Sequence, residues 1–201
     1  METNVIRLTA ISGSLRAASA NTAVLRTLQE MVPAGSEMSL LSIEALPLYN
    51  QDLDLPEPLR EVAEFKQAIS QADGLVICTP EYNFGVPGVL KNALDWASRP
   101  AFASPLKGKP VLIMSASPAF TGGARAHSQL RETLGGSLAR VLARPPVVIA
   151  GVNAKLQQGR LVDETNLKFA LEAVADLVVE IQCARDAAAW RAAHPRPAVA
   201  A

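Results

Sequence analysis

Two short stretches of this chain combine hydroxyls, amides, one cation and turn-forming residues in a pattern that suits the holding of a ligand. The first, SGSLRAASAN (12–21), offers Ser12, Ser14, Ser19 and Asn21, with Thr22 next, a single cation in Arg16, and Gly13 where the backbone must turn. It leads straight into a helical pattern. Backbone N–H groups at a helix start, the helix dipole and one guanidinium together make a place for a phosphate dianion. The alternative is an ordinary Ser-rich loop that caps its helix through Ser19 or Asn21. Its place directly after a strand, with one Arg among hydroxyls, favours phosphate. The chain has no GxxxxGK[ST] and no GxGxxG here, which disfavours nucleoside triphosphate hydrolysis and Rossmann-type dinucleotide binding at this loop. A monophosphate is left.

The second stretch, TPEYNFGVPG (79–88), suits what lies beside such a phosphate. Pro80, Gly85, Pro87 and Gly88 fix an irregular turn, Tyr82 and Phe84 offer flat apolar surface, and Asn83 adds an amide. A planar heteroaromatic ring with polar edges fits that lining, as the isoalloxazine of a flavin does. A rigid connection whose aromatics cover the core is the alternative. A third polar, Gly-rich loop, SASPAFTGG (115–123), puts Ser117 within reach of the same ligand, although a plain turn accounts for it nearly as well.

These loops need strands to present them. Short apolar runs alternate with longer helical patterns, the habit of a parallel sheet covered on both faces. Strands are expected at 5–11, 37–43, 74–80, 110–117 and 146–151, and helices at 21–32, 59–72, 88–98, 124–142 and 163 to about 191. Pro87 suits a first helical turn, where a missing N–H costs nothing. The expected architecture is one domain over 1–192: a three-layer α/β/α sandwich with a five-stranded parallel sheet in the flavodoxin-like order 2-1-3-4-5. A frayed tail is expected over 193–201. In such sheets ligands bind at the carboxyl ends of strands where the order reverses, here between strands 1 and 3, and the two unusual loops leave those two strands.

Composition narrows the partners. Of 201 residues, 49% are hydrophobic and 19% charged, and 19 basic residues balance 19 acidic ones, so no field of one sign points to nucleic acid or anionic lipid. No apolar run is long enough to span a membrane, and the N-terminus has no secretory pattern. The two cysteines, Cys78 and Cys183, form no CxxC pair, which fits a reducing cytoplasm.

GSLRAASAN followed by PEYNFGVPGVLKNALDWASRP resembles the NADPH-dependent FMN reductase family of flavodoxin-like proteins, with its quinone-, azo dye- and chromate-reducing members. The similarity extends in order from the first strand to about residue 182. It implies that Ser14, Arg16, Ser19 and Asn21 hold the FMN phosphate, that Leu15 also belongs to the cofactor site, that Pro80, Glu81, Tyr82, Asn83 and Phe84 border the ring, and that Ser117 belongs to the third flavin-side loop. It also implies NADPH (or NADH) as electron donor, a small-molecule acceptor such as a quinone, and ping-pong turnover. A homodimer or homotetramer is implied, with the helix carrying Leu90, Leu94 and Trp96 at the contact. Flavin carries the hard chemistry, so the absence of an acid–base pair is no obstacle. A flavodoxin-type electron carrier and a flavin redox sensor are the alternatives; carriers are typically acidic, and this chain is neutral. One departure concerns assembly. In some chromate- and quinone-reducing relatives an aromatic residue and a glutamate support an arginine in the tetramer, near the positions of Ser128 and Pro146, which leaves Arg125 without those partners.

The remaining reactive side chains read as structural. Cys78 lies in a strand as an inert thiol, Cys183 packs in a helix, and His127 is expected on a helix surface. His127 and His194 are too few to suggest a metal site. Glu81 is expected to position its loop, Lys91 and Asp95 to form an exposed pair, and Ser14 lacks the GxSxG setting of a hydrolase nucleophile.

Overall fold

In the computed structural model, which describes residues 5–194, the apolar runs form parallel strands β1 (Ile6–Ser12), β2 (Ser36–Leu41), β3 (Gly74–Thr79) and β4 (Pro110–Ser117). Every residue of β3 is buried, as a strand covered on both faces requires. The order is β2-β1-β3-β4-β5, with β5 (Arg140–Val141) and β6 (Val147–Ala150) both pairing with β4. The expected order is therefore present, and its fifth position is filled by two short pieces. Pro145 and Pro146, between them, carry no N–H for the ladder.

Alternation along the strands divides the core in two. Leu8, Ala10, Val76, Cys78 and Met114 pack with helices α1 (Ala20–Gln29) and α5 (Glu164–Ala193). Ile11, Leu75, Ile77 and Ile113 pack with α2 (Arg60–Gln71), α3 (Gly88–Ala97) and α4 (Ala124–Gly136). The register sets Ser12 beside Cys78 and Thr79 beside Ser115, so the carboxyl ends of β1, β3 and β4 meet at one edge.

Several expectations need correction. The helix expected over 124–142 stops at Gly136: the Gly135–Gly136 pair weakens it, Leu138 turns into the left-handed region (φ 62°), and Ala139 N–H closes on the Leu134 carbonyl. Leu90, Leu94 and Trp96 are buried in the chain's own core, so they are not available to a partner subunit. Cys183 is exposed, because the buried stripe of α5 ends at Ile181. A small hairpin, β7 (Leu156–Gln157) with β8 (Arg160–Leu161), stands where no strand is expected. Of the tail expected over 193–201, Ala193 is still helical, His194 caps α5, and the rest lies outside the described residues.

Candidate active site

The three loops converge on one cavity of about 280 Å³ at the carboxyl edge of the sheet. Ser14, Arg16, Ser19 and Asn21 line it from the first loop and the start of α1, Pro80, Glu81 and Tyr82 from the loop after β3, and Ser117 from the end of β4. Close approach of the first two loops depends on Gly13. A Cβ there would lie 2.4 Å from Thr79 Oγ1 and 3.1 Å from Thr79 Cα, while Gly13 N–H donates to the Cys78 carbonyl at 2.8 Å.

Within the first loop, polar atoms divide into those already engaged and those facing the cavity. Ser19 is the N-cap of α1, its hydroxyl accepting from Thr22 N–H at 3.3 Å. The buried Asn21 amide donates to the Ala116 carbonyl and accepts from the Ala116 N–H, both at 3.0 Å, and accepts from the Cys78 thiol at 3.2 Å. It joins α1 to β3 and β4, and so fixes the distance between the loops. Toward the cavity remain the backbone N–H groups of Ala20 and Asn21, which have no partner inside the helix, the Arg16 guanidinium, and the Ser14 hydroxyl, which accepts from the Arg16 N–H at 3.4 Å and keeps its own proton to donate. Arg16 forms no ion pair or side-chain hydrogen bond among the described residues. A helix N-terminus, a hydroxyl and an unengaged guanidinium fit a phosphate monoester.

The loop after β3 is held from behind. Tyr82 and Gly85 exchange backbone hydrogen bonds at 3.0 Å each, and Asn83 (φ 49°) and Phe84 (φ 67°) take the two left-handed positions of a two-residue turn. Asn is at ease there; Phe84 is strained by about 1–2 kcal/mol. Glu81 accepts from Arg125 N–H at 2.9 Å and so caps α4, whose own N-cap is Gly123 with no side chain to offer. The Arg125 guanidinium lies 3.8 Å from the Glu81 carboxylate and 4.3 Å from the Phe84 ring centre. Arg125 therefore has partners within its own chain. Gln129 of α4 accepts from Val86 N–H at 2.7 Å. Among the described residues the Glu81 N–H has no hydrogen-bond partner, which leaves it as a donor beside the cavity.

His127 is buried, contrary to the surface position expected. Residues 127, 130 and 134 follow the i, i+3, i+7 spacing of the inner stripe of α4. Its Nε2 lies 2.9 Å from Ser115 Oγ on β4, Nδ1 has no partner, and burial, helped by Arg131, pushes its pKa down to about 4. A neutral imidazole thus supports the strand behind the cavity. Cys78 is fully buried, and burial pushes its thiol well above the ordinary range, so it is inert.

Three of the expected residues stand apart from the cavity wall. Leu15 lines a neighbouring cavity, and Asn83 and the exposed Phe84 sit at the tip of the turn. Asn153, which follows β6, enters the wall without any local signal in the sequence, since nothing near it marks its approach to a loop far away in the chain.

Residues 6–154 match the model of a family described as NADPH-dependent FMN reductase. The chain is 44% identical over 160 residues to an NAD(P)H-dependent FMN reductase of Pseudomonas aeruginosa, covering 79% of this chain and 86% of that one. It is 42% identical over 166 residues to a quinone reductase of Escherichia coli K12, covering 81% and 88%. Among solved structures, a flavoenzyme NAD(P)H:(acceptor) oxidoreductase from Paracoccus denitrificans superposes with a TM-score of 0.77 at 34% identity, over 89% of this chain and 98% of that one.

Proposed function

Because this chain belongs to the NADPH-dependent FMN reductase family, we propose that it transfers hydride from NADPH, through bound FMN, to quinones or similar two-electron acceptors. The order is ping-pong: the oxidised nucleotide leaves before the acceptor takes its place. The observation that carries this reading is the cavity itself, where unengaged phosphate-binding groups of the first loop face the Pro80–Tyr82 segment and Ser117.

When bound, FMN supplies a centre that takes up two electrons as hydride from a nicotinamide and gives them on. This chain's residues bind, orient and support. Arg16, Ser14 and the first N–H groups of α1 hold the phosphate. Asn21 fixes the distance between the two flavin loops, and Glu81, anchored to α4 by its carboxylate, would offer its unpartnered backbone N–H to a polar edge of the ring. Tyr82, half exposed, offers an apolar face at the cavity mouth. We place the protein in the cytoplasm, where its two unpaired thiols stay reduced. We read it as a homodimer or homotetramer, because the exposed Phe84 beside the site is an apolar surface suited to a second copy.

The test is an anaerobic absorbance titration of the FMN-reconstituted, desalted protein with NADPH and then a benzoquinone. Bleaching by NADPH and recovery of colour with quinone are expected. Retained flavin that NADPH cannot bleach would move the protein to the electron-carrier or sensor class.

A further inference from the structure

A second cavity, also of about 280 Å³, lies on the β2 side of the first loop, and Ser14 and Arg16 belong to both walls. Its chemistry differs from that of the first. Arg16 and Arg26 both line it, and neither forms an ion pair among the described residues. Thr22 donates to Ser12 Oγ at 2.8 Å, which turns this face of α1 to the cavity, and Arg26, four residues on, follows on the same face. Leu40 and Leu41 add an apolar wall. The one carboxylate in the lining is Glu44, and with Arg16 given to the flavin phosphate, Arg26 is the cation left to this cavity.

The Arg26 guanidinium above an apolar wall suits a purine ribose that carries its own phosphate. An unphosphorylated ribose offers only a diol, which a carboxylate such as Glu44 serves as well as an arginine does. A ligand with one end in the flavin cavity reaches the second by crossing only the loop that both share. We infer that this second cavity receives the 2′-phosphorylated adenosine end of the electron donor, with Arg26 the residue that selects NADPH over NADH. The inference rests on the hydride-transfer reading above and names the specificity determinant of that donor. Arg26 stands in the last turn of α1, where a cation also complements the helix dipole, so a purely structural role is the competing account.

The experiment compares the FMN-loaded wild-type protein with R26Q and E44Q. Removing a charge-assisted contact to a phosphate at a partly exposed site is expected to lower the ratio of kcat/KM for NADPH to that for NADH about tenfold in R26Q. E44Q is expected to raise the same ratio. Independently of turnover, calorimetric titration with adenosine 2′,5′-bisphosphate is expected to show R26Q binding it about tenfold more weakly relative to 5′-AMP. An unchanged ratio and unchanged bisphosphate affinity in a well-folded R26Q would overturn the inference. Loss of FMN affinity in R26Q would overturn it as well, because the cavity would then belong to the flavin phosphate. Failure of both nucleotides to bleach the wild-type flavin would sink the hydride-transfer reading itself, an outcome distinct from bleaching by both with no selectivity at Arg26.

Discussion

Asn21→Ala separates a clamp from a phosphate ligand. The substitution removes three hydrogen bonds and leaves both the N–H and the C=O of buried Ala116 without the amide that meets them. A buried polar group left unsatisfied costs about 1–3 kcal/mol. Water admitted into the space of the lost amide recovers part of that, and Ala as a better helix former returns up to about 0.7 kcal/mol. A net loss of about 2–4 kcal/mol is expected, or roughly 5–15 °C in melting temperature at this chain length. The assay is urea unfolding of the FMN-free protein, read from the midpoint at unchanged slope. Asn21→Asp keeps an acceptor for the Ala116 N–H but sets a carboxylate oxygen against the Ala116 carbonyl. It should be destabilised at neutral pH and partly recover as its carboxyl is protonated. An FMN-free Asn21→Ala protein within about 0.5 kcal/mol of wild type, with FMN affinity collapsed, would refute the clamp and return Asn21 to the phosphate.

Arg16→Ala removes charge-assisted contacts worth about 1.5–3 kcal/mol, so fluorescence titration should show FMN bound roughly 10- to 150-fold more weakly with stability little changed; unchanged affinity would remove Arg16 from the site. His127 has its pKa depressed to about 4 by burial, so the stability it contributes is complete above its unfolded value near 6.5 and is lost as pH falls toward 4. His127→Gln should flatten the unfolding free energy across that window, and an identical pH profile would count against a buried neutral imidazole. Phe84→Gly relieves about 1–2 kcal/mol of left-handed strain and forfeits an exposed Arg125 contact of about 0.5–1 kcal/mol, so thermal unfolding should show a protein as stable or slightly more so; marked destabilisation would mean that Phe84 packs as core.

The sheet was legible because its signals are local. Pro110–Ser117 is buried at all but its last position, and its first five residues, Pro110 to Met114, read as an unbroken apolar run. The fifth strand position was harder: Leu138, Val141 and Leu142 prolong a helical spacing past a Gly-Gly pair that ends it. Only the pairing of Arg140 with Pro110 and of Val147 with Met114 shows two short strands sharing one edge. The polarity of His127 points to a surface position, whereas its spacing from Leu130 and Leu134 puts it on the buried stripe of α4.

Site residues were legible as types, whereas their allegiances were not. A buried Asn and an acceptor Glu look the same in sequence whether they serve a ligand or the fold, because the deciding partner stands far off: Ala116 for Asn21, Arg125 for Glu81. What distinguishes the two roles is which polar atoms are already engaged. Asn21 and Ser19 have committed their side chains to β4 and to the helix cap, so their value to a phosphate lies in the backbone they hold in place. The Arg16 guanidinium has made no such commitment, while Ser14 accepts from the Arg16 N–H at 3.4 Å and so helps to shape the loop that carries it. The charge that meets the phosphate therefore comes from Arg16, and the geometry that meets it comes from residues whose side chains point away.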